Sequence, residues 1–183
     1  MKYIRQKIPD LLVIEPAIHK DLRGYFFETF RKNFLEQTLK SKINFVQDNE
    51  SMSSKGVLRG LHYQISPHSQ SKLVRVVSGS ILDVAVDIRN NSPTFGMHIA
   101  VELNQSNKRQ LFIPKGFAHG FLVLSDSAIV SYKTDNYYSK DSERGIAYND
   151  PKLSIDWMLK LNEIIVSDKD KVHPNFSFEK IYF

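Results

Sequence analysis

The 183-residue chain contains no cysteine. Disulfide scaffolds, thiolate zinc centres, iron–sulfur clusters and cysteine nucleophiles are therefore excluded. No apolar run approaches the length of a membrane-spanning helix. The opening Met1–Asp10 stretch carries no continuous apolar segment of the kind a secretory signal needs. The expectation is a protein of a reducing cytoplasm with no membrane partner. Runs of basic residues are missing too. The net charge is +5, yet the cations stand singly or in pairs such as Arg31-Lys32 and Lys108-Arg109. That pattern predicts a solvated surface of mixed charge and no nucleic-acid partner. Neither GxGxxG nor GxxxxGK[ST] occurs, which disfavours Rossmann and nucleoside-triphosphate chemistry. HExxH and the GxSxG elbow are absent as well.

What is present is an ordinary globular composition, 42% hydrophobic and 25% charged, enough for one domain spanning residues 1–183. From Ser71 to Lys133 the chain reads as strand, turn, strand. Leu82, Val84, Val86 and Ile88 alternate with Asp83, Ala85 and Asp87, a period of two. Further β-rich runs are Leu73–Val77, Met97–Leu103, Gln110–Ile113, Phe121–Leu124 and Ala128–Lys133, separated by Gly, Asn, Ser and Pro. Such spacing predicts an all-β, antiparallel sandwich or barrel. Helix signal is confined to Arg31–Lys40, with Phe30, Phe34, Leu35 and Leu39 as its apolar stripe, and to one turn within Asp156–Ile165.

Two histidines stand out. His62 lies in the strand-like run Arg59-Gly60-Leu61-His62-Tyr63-Gln64. Regular alternation there puts Arg59 and His62 on opposite faces unless a bulge intervenes. His119 follows the turn Pro114-Lys115-Gly116 and is expected at the start of a strand. Each, taken alone, is equally well read as a hydrogen-bonded structural histidine.

The pair resembles the two motifs of the cupin superfamily, with Pro114-x-Gly116-x-x-His119 as the second. The first departs from it: His62-Tyr63-Gln64 replaces His-x-His, and Lys72 stands where a glutamate ligand is common. Two imidazoles beside an ammonium make a poor metal site. This implies a cupin-type antiparallel β-barrel or jelly roll, with a few short peripheral helices, that uses fixed protein charge in place of a metal.

Longer segments resemble the dTDP-4-dehydrorhamnose 3,5-epimerase family. They include Asp21-x-Arg23-Gly24-Tyr25-Phe26-x-Glu28, Gln47–Ser51, Gly56–Gln64, Gln70–Val76, Asp83–Arg89, Ser92–Gly96 and Tyr132-Lys133. The resemblance implies a cofactor-free epimerase acting at C3 and C5 of a dTDP-4-keto-6-deoxyhexose. The C4 ketone acidifies both neighbouring C–H bonds, so inversion needs a base, an acid on the opposite face and positive charge for the enolate oxygen. By resemblance His62 is the base, Asp170 its orienting carboxylate and Tyr132 the acid, its phenol made more acidic by a nearby cation. Lys72 stabilises the enolate. Substrate-binding positions carried over are Arg23, Phe26, Glu28, Gln47, Asn49, Arg59, His119, Glu143 and Lys169, with Tyr138 stacking on thymine. A homodimer is implied, its N-terminal strands crossing so that Arg23 and Phe26 reach the partner's site. Other readings stay open: a single-centre epimerase, a metal-dependent cupin enzyme and a non-catalytic nucleotide-sugar binder.

Overall fold

The computed structural model describes residues 1–183. Its strands are β1 (Lys2–Arg5), β2 (Leu12–Glu15), β3 (His19–Asp21), β4 (Gly24–Phe26), β5 (Gln47–Ser54), β6 (Leu58–Gln64), β7 (Lys72–Ser78), β8 (Ser80–Asp87), β9 (His98–Asn104), β10 (Gln110–Ile113), β11 (Phe117–Val123), β12 (Ser127–Thr134) and β13 (Glu143–Gly145). The helices are short, α1 (Lys32–Leu39) and α2 (Asp168–Lys171), and a 3-10 turn at Leu161–Glu163 lies inside the Asp156–Ile165 stretch.

All strand pairings are antiparallel. Six strands form one sheet in the order β1-β2-β10-β7-β12-β5, and five form a second, β13-β6-β11-β8-β9. The result is a jelly roll of two facing sheets, not a barrel closed by hydrogen bonds. A separate β3-β4 hairpin stands outside both.

Alternation explains the layering. Val74, Val76, Leu111, Ile113 and Val130 of the first sheet meet Ile81, Ala85, Leu103, Phe117, Phe121 and Val123 of the second. The opposite stripe of the second sheet, Leu58, Leu61, Leu82, Val84, Val86, Ala118 and Leu122, is covered by Ile146, Leu153, Trp157, Phe176 and Tyr182 of the C-terminal segment. On the outer face of the first sheet, Leu12, Ile14, Leu73 and Phe112 pack under Leu35 of α1 and Ile43. β8 is thus apolar on the side facing the C-terminal segment, and its Asp83 points into the space between the sheets. His119 is not at a strand start. β11 begins at Phe117 directly after the Pro114–Gly116 turn, so His119 is its third residue, flanked by strands on both sides.

Candidate active site

The site begins with a register fault. His62 pairs with His119 across β6 and β11, whereas Arg59 pairs with Phe121. Three steps on β6 therefore match two on β11, a β-bulge. Gly60 sits at the fault with φ +136, and a Cβ there would fall 2.5 Å from the Gly120 Cα. Only glycine fits such an approach. Because of the bulge, Arg59 and His62 line one cavity in place of the opposite faces that regular alternation gives.

That cavity, of about 490 Å³, is walled by Asn49, Glu50 and Ser51 of β5, Arg59 and His62 of β6, Lys72 of β7, His119 and Phe121 of β11, Tyr132 of β12, and Ser167, Lys169 and Asp170 around α2. A second cavity of about 270 Å³ adds Gln47, Gln64, Gln70, Tyr138 and Glu143. Asn49, His62, Lys72 and Tyr132 line both, so the two spaces meet at these four side chains.

Each histidine is backed by a carboxylate. His62 Nε2 lies 2.7 Å from Asp170 Oδ1, and Asp170 Oδ2 accepts from the Gly60 N–H at 3.3 Å. Burial pushes the Asp170 carboxyl upward, but the His62 contact and the Gly60 N–H outweigh it and hold the group below the usual carboxylate range. Asp170 therefore stays ionised. Its helix is only four residues long, and its first turn is capped by Ser167, whose Oγ accepts from the Asp170 N–H at 3.2 Å. Across the cavity, His119 Nε2 lies 2.7 Å from Asp83 Oδ1, with Asp83 fully buried. Burial lowers the His119 pKa despite the attraction of Asp83, so His119 is neutral at pH 7.

Lys72 forms no ion pair. Burial brings its ammonium down to about 8, opposed only by the attraction of Asp83 and Glu143. Tyr132 departs from the expected acidity: burial raises its phenol above the ordinary value, and the Arg59 charge offsets only part of that. The cation is there, but desolvation of a phenolate is the larger effect. Tyr132 is consequently fully protonated at neutral pH.

The remaining polar wall is pre-assembled. Glu143 accepts from Tyr138 Oη at 2.8 Å and pairs with Lys169. Burial raises its carboxyl, but these two donors hold it below the usual range. Gln47 donates to Asn49 at 2.8 Å and accepts from the Tyr138 backbone N–H at 3.1 Å. Arg59 is steadied by Ser53 through a 3.0 Å bond from Nε.

Three positions lie elsewhere. Arg23 is almost fully exposed and bonds Asp21 at 2.5 Å, Phe26 is exposed on β4, and Glu28 pairs with Arg31. Arg23 and Phe26 border a concavity of the hairpin itself, with His19, Lys20, Asp21 and Tyr25. Within one chain they do not meet the other eleven.

A family model described as dTDP-4-dehydrorhamnose 3,5-epimerase matches residues 5–177. The chain belongs to this family. The dTDP-4-dehydrorhamnose 3,5-epimerase of Shigella flexneri is 54% identical over 170 residues, 93% of each chain. The crystal structure of the Elizabethkingia anophelis NUHP1 enzyme of the same name superposes with a TM-score of 0.95 at 47% identity, covering 100% of this chain and 99% of that one. The dTDP-6-deoxy-D-glucose-3,5-epimerase of Legionella pneumophila Philadelphia 1, solved with dTDP-4-keto-L-rhamnose, gives a TM-score of 0.91 at 50% identity, covering 95% and 92%.

For this epimerase family member, sequence reasoning missed Asp83 and His173 as neighbours of the site. Asp83 lies in the resembling segment Asp83–Arg89, but on the stripe opposite Leu82, Val84 and Val86 that alternation reads as the polar face, and only the burial of both faces of β8 turns it inward. His173 has no such signal. Its imidazole lies edge-on to His62, ring centroids 5.5 Å apart, because the C-terminal segment folds back over β6 and β13. A metal of the usual cupin kind does not suit the His62, Lys72 and His119 set. One of the three is an ammonium, which repels a cation and has no lone pair to offer while protonated.

Proposed function

We propose that this chain catalyses epimerisation at C3 and C5 of dTDP-4-dehydro-6-deoxy-D-glucose, giving dTDP-4-dehydro-L-rhamnose, without a cofactor. The observation that carries the reading is that His62, Lys72 and Tyr132 share the junction of the two cavities, with Asp170 buried behind His62.

His62 takes the proton from C3 or C5, and the C–H electron pair moves into the ring to form an enolate with negative charge on the C4 oxygen. Asp170 stabilises the resulting imidazolium, as an orienting carboxylate does for other catalytic histidines. The Lys72 ammonium, poorly solvated and without an ion-pair partner, is suited to that oxygen. Tyr132 returns a proton to carbon from the opposite face. Its raised pKa leaves the proton in place until a strongly basic carbanion arrives. The phenolate then regains a proton from solvent, and His62 releases its own.

Arg59 and Lys169 supply positive charge for the diphosphate. Tyr138, held by Glu143, offers its ring face to thymine. Gln47, Asn49 and His119 fix the sugar and base. Arg23, Phe26 and Glu28 act from a second copy, whose hairpin projects into this cleft in a homodimer.

Incubation with dTDP-4-keto-6-deoxyglucose in D2O, followed by NMR, tests the reading. Deuterium is expected at both C3 and C5. His62→Ala abolishes exchange, while Tyr132→Phe retains exchange but fails to invert. Substrate that stays unlabelled after long incubation with the unmodified protein refutes the reading, and label at one centre only refutes double epimerisation.

A further inference from the structure

Behind His62, on the side occupied by α2, three donor atoms converge that the proposed reaction does not need together. His62 Nε2 is 2.7 Å and His173 Nε2 is 3.3 Å from the same oxygen, Asp170 Oδ1, and all three atoms lie within 4.8 Å of one another. His173 Nε2 is buried and has no hydrogen-bond partner. Its position is built into the fold. The imidazole rests on Gly145, where a Cβ would fall 2.3–2.4 Å from the ring atoms. The absence of a side chain at that position of β13 is what lets the ring reach Asp170.

Two imidazole nitrogens and one carboxylate oxygen are a donor set that borderline-soft divalent metals prefer, and Zn²⁺ above the hard cations. A tetrahedral ion with bonds of about 2.0–2.1 Å holds its ligands about 3.3–3.4 Å apart. The Asp170–His173 separation already has that length, the His62–Asp170 contact must open by about 0.6 Å, and the His62 and His173 donors, within 4.8 Å of each other, must settle at the same spacing. We propose that His62, Asp170 and His173 form a Zn²⁺ site whose occupation switches off the catalytic base. Zinc on Nε2 of a neutral His62 displaces the proton from that nitrogen to Nδ1. The lone pair that would accept the substrate proton is then gone. His62 and Asp170 line the cleft but His173 lines neither cavity, so the ion sits in the wall on the α2 side of the imidazole and nucleotide-sugar binding persists. The site itself needs only the geometry, and the inhibition rests on His62 being the base.

Calorimetric titration of the full-length protein with ZnCl2 reads the site directly. One Zn²⁺ per chain is expected to bind, with Mg²⁺ giving no heat at the same concentration. His173→Phe keeps a ring against Gly145 but offers no donor. It should weaken zinc by more than the about 10–100-fold typical of losing an outer-shell partner, and His173→Asn serves if the Phe variant fails to fold. In the epimerase assay, zinc lowers kcat and leaves KM unchanged, chelator restores the rate, and both His173 variants turn over substrate in zinc. Absence of zinc binding, or binding that the His173 variants leave unchanged, overturns the site. Full turnover by the zinc-loaded protein overturns the switch. Zinc binding by a chain that never turns over the sugar refutes the proposed function and leaves the site standing.

Discussion

At the scale of single residues, the cavity runs on two opposed shifts, both caused by burial. Lys72 loses proton affinity and Tyr132 gains it. In the proposed mechanism the ammonium sets the alkaline limit. It is charged below about 8 and neutral above, so kcat/KM should fall as pH rises through that value. Lys72→Arg removes this limb from the pH profile even where the maximal rate is lower, because a guanidinium stays charged. A profile whose limb survives the substitution assigns it to another group. The same shift has a consequence for stability. Unfolded lysine binds its proton up to about 10.4, and the folded one releases it near 8. Between these values the unfolded state holds more protons, so stability rises with pH across that window. Below it the buried charge is a standing cost. Lys72→Met should therefore inactivate the protein yet raise stability by about 1–2 kcal/mol, the full shift being discounted for the water-accessible cavity, or about 2–8 °C in Tm by calorimetry.

At the scale of elements, the site depends on a bulge and a four-residue helix, and both are weak structures that packing must hold. α2 is too short to persist alone. It is fixed by the Ser167 cap and by Asp170 bonding to the Gly60 N–H and to His62. Ser167→Ala should cost about 1 kcal/mol in global stability. The drop in kcat should be larger than that figure suggests, because the lost bond frees the carboxylate that orients His62. Asp170→Asn leaves the packing intact and should lower kcat by about 10³–10⁴ with little change in KM, by analogy with the orienting aspartate of serine proteases. A loss confined to KM would place Asp170 in binding alone.

These elements also mark where sequence was informative. The β-rich runs emerged as β7 to β10 and β12 with ends within a residue or two, because period-two alternation fixes which face of a strand is apolar. The α1 stripe was legible for the same reason, at helical spacing, in Phe30, Leu35 and Leu39, whereas Phe34 is exposed. The bulge was not legible: a one-residue register change is decided by the Gly60–Gly120 approach, a contact between residues sixty positions apart in sequence. Nor was the sign of the Tyr132 shift, since how far a phenol is desolvated depends on which side chains close over it. His62, Lys72, Tyr132 and Asp170 could be named through family resemblance. No local pattern would have joined an aspartate in a C-terminal turn to a histidine in β6.

At the scale of the whole molecule, the β3-β4 hairpin is the part that one chain leaves without a purpose. It belongs to neither main sheet, and Leu22, Tyr25 and Phe26 are exposed on and around it. Apolar side chains displayed on a protruding arm are expected to be covered by another surface. Arg23, whose guanidinium engages only the neighbouring Asp21 and is proposed to bind the diphosphate, is held away from the cleft of its own chain. A symmetric dimer in which each arm enters the other's cleft accounts for both features, since a two-fold interface supplies the arm and the cleft reciprocally. Light scattering should give twice the chain mass. The sharper test mixes two impaired variants, His62→Ala and Arg23→Ala, unfolded and refolded together and assayed at substrate well below KM. If the arm acts within its own chain, every site carries one lesion and the mixture stays inactive. If it acts across the interface, half the dimers are mixed, and each has one site with both wild-type residues. Activity then recovers to about one quarter of the wild-type value per chain, as random pairing of two subunit types requires.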